Sequence, residues 1–113
     1  MTTTAPKGTG PAGKALWDSI TATYGLETHE LAMLASAVVT ADRIADLDAV
    51  VGAEGVMLND PKRGPIAHPA LVEARQQRLV LARIVATLRL PDQDDALPRR
   101  RGVRGAYGGG RRG

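Results

Sequence analysis

The chain has 113 residues, enough for one domain, and its aromatic supply is Trp17, Tyr24 and Tyr107 with no Phe, so any core must be built mainly of Leu, Val, Ile and Ala. No cysteine is present, which excludes a disulfide framework, a thiolate nucleophile and a cysteine-based zinc site. The net charge of +3 is unevenly spread: residues 1–98 carry nine Lys or Arg against twelve Asp or Glu, whereas residues 99–113 carry six Arg and no acid, so attraction to polyanions is concentrated in the last segment.

Met1 to Gly13 is made of Thr, Ala, Gly and Pro with a single Lys, and residues 91–113 are rich in Asp, Pro, Arg and Gly. Neither offers enough apolar surface to offset the entropy of ordering, so a flexible arm (1–13) and a flexible tail (91–113) are expected around a core at 14–90. No apolar run has the length of a signal peptide or a bilayer span, and the expected location is the cytoplasm, without membrane attachment.

Within the core, Leu16, Trp17, Ile20 and Tyr24 share one face of a helix predicted over 14–24, with Gly25 as its left-handed cap. Thr28 reads as the N-cap of a long second helix with Glu30 in its first turn. Leu31, Leu34, Val38, Ala41, Ile44 and then Leu47 or Asp48 step by threes and fours along one face, and the helix is expected to reach Val51 and end at Gly52. Asp42, Arg43, Asp46 and Asp48 lie on the other face, and a solvated charged surface with an Arg43–Asp46 pair is expected there. Gly55 to Pro69 is dense in turn formers; a short β-hairpin and an ordered loop both fit, with the balance towards a loop. A third helix is predicted from His68, with Pro69 at its first position, to about Leu88. Its segment Leu79-Val80-Leu81-Ala82-Arg83-Ile84-Val85-Ala86 is apolar nearly all round, which predicts burial on every side. In so small a chain, one of those sides is expected to meet another subunit, through Leu79, Val80, Leu81, Ile84, Val85 and Leu88. The expected fold class is therefore all-α, about three helices with a loop or short hairpin before the last.

Gly8 to Lys14 matches the G-x-x-x-x-G-K part of a phosphate-binding loop, but Ala15 supplies no hydroxyl for Mg²⁺ and no buried strand precedes it, so a plain Gly/Pro arm is the better reading. A helix-turn-helix built on the first two helices would present Glu27, Thr28, His29 and Glu30 to phosphates, which disfavours it. His29 and His68 lack neighbours at metal-ligand spacing, and no catalytic set can be assembled; no cofactor, metal or enzymatic activity is expected. Arg75, Arg78, Arg83 and Arg89 are spread around the third helix; ordinary solubilising charge is the favoured reading, and a shared charged surface in an oligomer is the other. The strongest signal is the tail. Arg99, Arg100, Arg101, Arg104, Arg111 and Arg112 are set among glycines, a pliable backbone carrying guanidinium groups that grip phosphates, with Tyr107 able to stack on a base. Lys62-Arg63 in the central loop is the second candidate for DNA contact. A tail so pliable is not expected to read sequence.

Ala15-Leu16-Trp17-Asp18 opening the first helix, the long Ala-rich helix from Leu31, the junction Gly64-Pro65-Ile66-Ala67-His68-Pro69-Ala70-Leu71 and the ending Leu88-Arg89-Leu90-Pro91 together resemble the small subunit of phage terminase. The tail Arg100-Arg101-Gly102-Val103-Arg104-Gly105-Ala106-Tyr107-Gly108 looks like the endings of members from phages of actinobacteria. The resemblance spans about residues 14–108. It implies a protein that binds viral double-stranded DNA near the packaging start, assembles into a homo-oligomeric ring, and recruits and modulates a large subunit holding the ATPase and nuclease. The chain departs from the family in its acidic N-terminal helical hairpin, so contact with DNA is expected from the tail and from Lys62-Arg63. The competing reading is a general nucleic-acid-binding protein with an Arg/Gly-rich tail.

Overall fold

The computed structural model describes residues 3–91. They form three helices, α1 (Pro11–Thr23), α2 (Thr28–Glu54) and α3 (Pro69–Leu88), with an antiparallel hairpin of β1 (Met57–Asp60) and β2 (Gly64–Ala67) between α2 and α3. The described part is thus mostly helical, and of the two arrangements that the turn formers allow, a short hairpin and a loop, the chain adopts the hairpin rather than the slightly favoured loop.

Helix α1 starts three residues before the position read from apolar spacing. Pro11 occupies its first turn, where a missing N–H costs nothing. Its last residue is followed by Tyr24 in an extended conformation (φ −123°), so the chain leaves α1 without the left-handed glycine expected at Gly25. Helix α2 is capped by Glu27 rather than Thr28. The Glu30 carboxylate reaches back to accept the Glu27 N–H at 2.8 Å, one arm of a capping box. The helix runs through Gly52 and stops at Gly55, whose φ of +90° suits a residue without Cβ. At 27 residues it is about 40 Å long and forms the spine of the molecule.

Pro65 weighs against a strand because proline cannot donate to a ladder. The register resolves this. His68 N–H donates to the Val56 carbonyl at 2.8 Å, so Leu58/Ile66 and Asp60/Gly64 are the hydrogen-bonded pairs and Asn59/Pro65 lies between them. The missing N–H of Pro65 therefore falls on the outer edge, where no partner is lost. At the turn the Asp60 carboxylate accepts the N–H groups of Lys62 (3.0 Å) and Arg63 (2.8 Å), and Gly64 takes φ +75°.

Helix α3 begins as its sequence predicts, with Pro69 in the first turn and His68 as N-cap. His68 Nδ1 accepts the Ala70 N–H at 2.9 Å, while Nε2 lies 2.7 Å from Glu54 Oε1, so one buried imidazole ties the end of α2 to the start of α3. Arg89 closes α3 in the left-handed region (φ 53°), and Pro91 follows.

Both α1 and α3 pack on α2. The core joins Trp17 and Ile20 of α1, Leu34, Ala37 and Val38 of α2, and Leu88 of α3. Leu34 and Val38 are sealed from solvent, each contributing about 1.5–3 kcal/mol by burial. Thr40 is buried on the same helix and satisfies its hydroxyl on the Ser36 carbonyl. Residues before α1 also lie against the body: Ala5 packs on the core cluster and Thr3 O accepts the Trp17 indole N–H at 3.2 Å. Tyr24 Oη donates to the Pro91 carbonyl at 2.7 Å, tying the end of α1 to the exit of α3.

The α1–α2 contact is as close as backbones permit. A Cβ on Gly13 would stand 2.6 Å from Val38 Cγ1 and 2.8 Å from the Val38 carbonyl oxygen, whereas one on Gly52 would meet nothing. Gly13→Ala is therefore expected to overpack the interface at about 1–3 kcal/mol, lowering the melting temperature by about 4–8 °C per kcal/mol. Gly52→Ala, in the open interior of a helix, should raise it through about 1 kcal/mol of better helix propensity. Thermal unfolding followed by circular dichroism checks both signs.

Candidate nucleic-acid interface and association surface

Two of the proposed DNA contacts fall within the described residues. Lys62 and Arg63 are exposed at the hairpin turn, and Arg63 Nε lies 3.7 Å from the Asp60 carboxylate. That carboxylate is already engaged by two turn N–H groups, so both cationic side chains sit at the ribbon's outer end. Arg99, Arg100, Arg101, Arg104, Arg111 and Arg112 lie outside the described residues. Residues 3–91 hold nine Lys or Arg and nine Asp or Glu, so the helical body is electrically balanced and the excess positive charge lies in the remaining segment.

The six residues assigned to self-association differ in their surroundings. Leu88 is buried, and Leu81 and Ile84 lean on the same core cluster; these three are used within their own chain. Val85 is half-buried. Leu79 and Val80 stand in solvent at 53% and 38% exposure. The apolar run on α3 is thus not buried on every side: one face packs on α2 while Leu79 and Val72, about two turns apart on the opposite face, remain open. Val72 lies outside the apolar run Leu79–Ala86 on which the sequence reading rests.

The Gly8–Lys14 segment folds against Asp42. The Gly10 and Gly13 N–H groups both donate to the Asp42 carboxylate, each at 2.7 Å. Asp42 thereby fills the positive end of α1, the place where a phosphate would sit in a working phosphate-binding loop. Lys14 pairs with Asp18 at 2.7 Å and turns to solvent. This corrects the reading of Asp42 as part of a solvated charged face: it is half-buried and caps a helix distant in sequence. The rest of that face is also arranged differently. Asp48 pairs with Arg78 of α3, which joins the two long helices, and among the described residues Arg43 and Asp46 make no ion pair with each other.

Among the described residues no group of three or more His, Asp or Glu is placed to hold a metal ion. No described helix is long and apolar enough to cross a membrane. No family model, no curated protein and no solved structure matches the chain.

Removing the Asp42 carboxylate strands two half-buried helix N–H groups. Asp42→Ala should cost about 1.5–3 kcal/mol, the range for hydrogen bonds to a charged group, with Asp42→Asn recovering part of it; urea unfolding measures both. Because the α1 terminus is occupied from within, millimolar Mg·ATP should leave the melting temperature of the native protein unchanged, as thermal-shift measurements can check.

Proposed function

We propose that the chain is a small terminase subunit: a non-enzymatic adaptor that binds viral double-stranded DNA at the packaging start, self-associates as a ring in the host cytoplasm, and recruits and regulates the large ATPase/nuclease subunit. The sequence motifs from Ala15 to Gly108 suggest the family. The structural observation that carries the reading is the open face of α3. Among the described residues only eight apolar side chains are buried, a small core for a domain, yet Val72, Leu79 and Val80 remain exposed on the helix that completes it. A second copy laid along α3 would cover them.

The division of charge supports the same role. A balanced helical body can gather into an assembly without strong mutual repulsion, while each copy contributes six tail arginines. Phosphate contacts of that kind give affinity without sequence preference and weaken steeply as salt rises.

The absolute mass in solution, measured by light scattering at micromolar concentration, tests the proposal. The native chain should form one oligomer of defined size, hydrolyse no ATP alone, and stimulate the large subunit encoded with it. Leu79→Glu should give smaller species that keep their helical circular dichroism. A monomeric native protein would contradict the adaptor reading and match a general nucleic-acid-binding protein.

A further inference from the structure

We infer that the β1–β2 ribbon is the element that reads DNA sequence, entering the major groove with Asn59 towards the base edges and Lys62 and Arg63 on flanking phosphates. The inference rests on the proposal that the protein binds duplex DNA, and it assigns the sequence-reading task to a different part of the chain from the pliable tail.

Shape comes first. The two strands pair with each other and make few contacts with the helices, so the ribbon stands away from the body. Four-residue strands carry it outward by about 13 Å, and the strands lie about 4.8 Å apart. B-DNA's major groove, about 12 Å wide, admits a two-stranded ribbon of this kind.

Chemistry follows from the register. Met57, Asn59, Pro65 and Ala67 share the exposed face, and Leu58 and Ile66 the half-buried one. On the exposed face Asn59 is the hydrogen-bonding side chain, flanked by small or flexible apolar groups. Its amide offers a donor and an acceptor together, the pair that matches adenine in the major groove. Asp60, the acid of the ribbon, keeps its charge, but its carboxylate points into the turn, where it accepts the Lys62 and Arg63 N–H groups and lies 3.7 Å from Arg63 Nε, so the turn with Lys62, Arg63 and Asp60 carries a net single positive charge. Those same bonds, with Gly64 at φ +75°, fix the turn so that the two cations are presented from a set backbone.

The full-length protein, incubated with a pool of short random-sequence duplexes and sequenced after selection, tests this directly, with direct binding measured on one enriched duplex and one unrelated duplex over a salt series. The native protein should enrich a motif. Asn59→Ala should keep its affinity for the unrelated duplex while losing preference at one position of the motif by roughly five- to 150-fold. The Lys62→Ala, Arg63→Ala double variant should weaken binding to both duplexes, with the logarithmic salt slope shallower by about two. All these positions are exposed, so unchanged circular dichroism will show that folding is intact. If the native protein binds duplexes and both variants behave like it, the ribbon assignment is overturned and the tail alone makes the contact. If the native protein binds no duplex at any salt, the DNA-binding proposal itself falls.

Discussion

Helix α1 can lie on α2 only because Gly13 carries no side chain. At that point the Val38 carbonyl and methyl groups stand where a Cβ would be, and the approach brings the α1 terminus within reach of Asp42, one turn further along α2. Contact and cap depend on each other. The carboxylate satisfies two donors that a helix end otherwise leaves bare, and the close packing keeps that carboxylate at 2.7 Å from both. Trp17 and Ile20 are held against Leu34, Ala37 and Val38 by the same approach, and Leu88 of α3 completes the cluster.

The arrangement also decides where the protein can meet an anion. The glycine-rich entry to α1 looks receptive on sequence, yet its N–H groups already serve an internal carboxylate and its lysine serves Asp18. The cations proposed to meet DNA lie elsewhere in the chain: Lys62 and Arg63 at the hairpin turn, and the arginines between residues 99 and 112. Among the described residues, exposed apolar side chains lie on α3 (Val72, Leu79 and Val80), on α2 (Val39 and Val50) and at the start of the hairpin (Val56 and Met57).

How much of this the sequence discloses depends on how far apart the interacting residues lie. The periodic stripe through Leu34, Val38 and Ile44 and the Pro69 start of α3 rest on local spacing and are readable directly. Trp17 as the anchor of α1 follows from size alone. The partnership of Asp42 with Gly10 and Gly13 spans about thirty residues, and nothing local distinguishes Asp42 from Asp46. Gly25 does follow the end of α1 but without the left-handed turn, Gly52 looks like a helix end but lies inside α2, and Gly55 is the glycine at which φ turns positive as α2 ends. In the hairpin, Pro65 is compatible with a strand only in the register the structure adopts, which the sequence does not specify. Leu88 shows the same limit: an apolar residue at the end of a helix signals burial, but only the fold shows that its own chain already covers it.

Amide hydrogen exchange on the full-length protein, with and without a DNA duplex, tests the central claim that α1 is closed by Asp42 and that anions are met elsewhere. The Gly13 amide should exchange slowly in the free protein, like those of the Leu34–Val38 turn, and should not change when the duplex is added, while protection appears at residues 57–67. Fast exchange at Gly10 and Gly13 in the free protein, slowed by the duplex, would mean that the glycine-rich entry is open to phosphate and that the account is wrong.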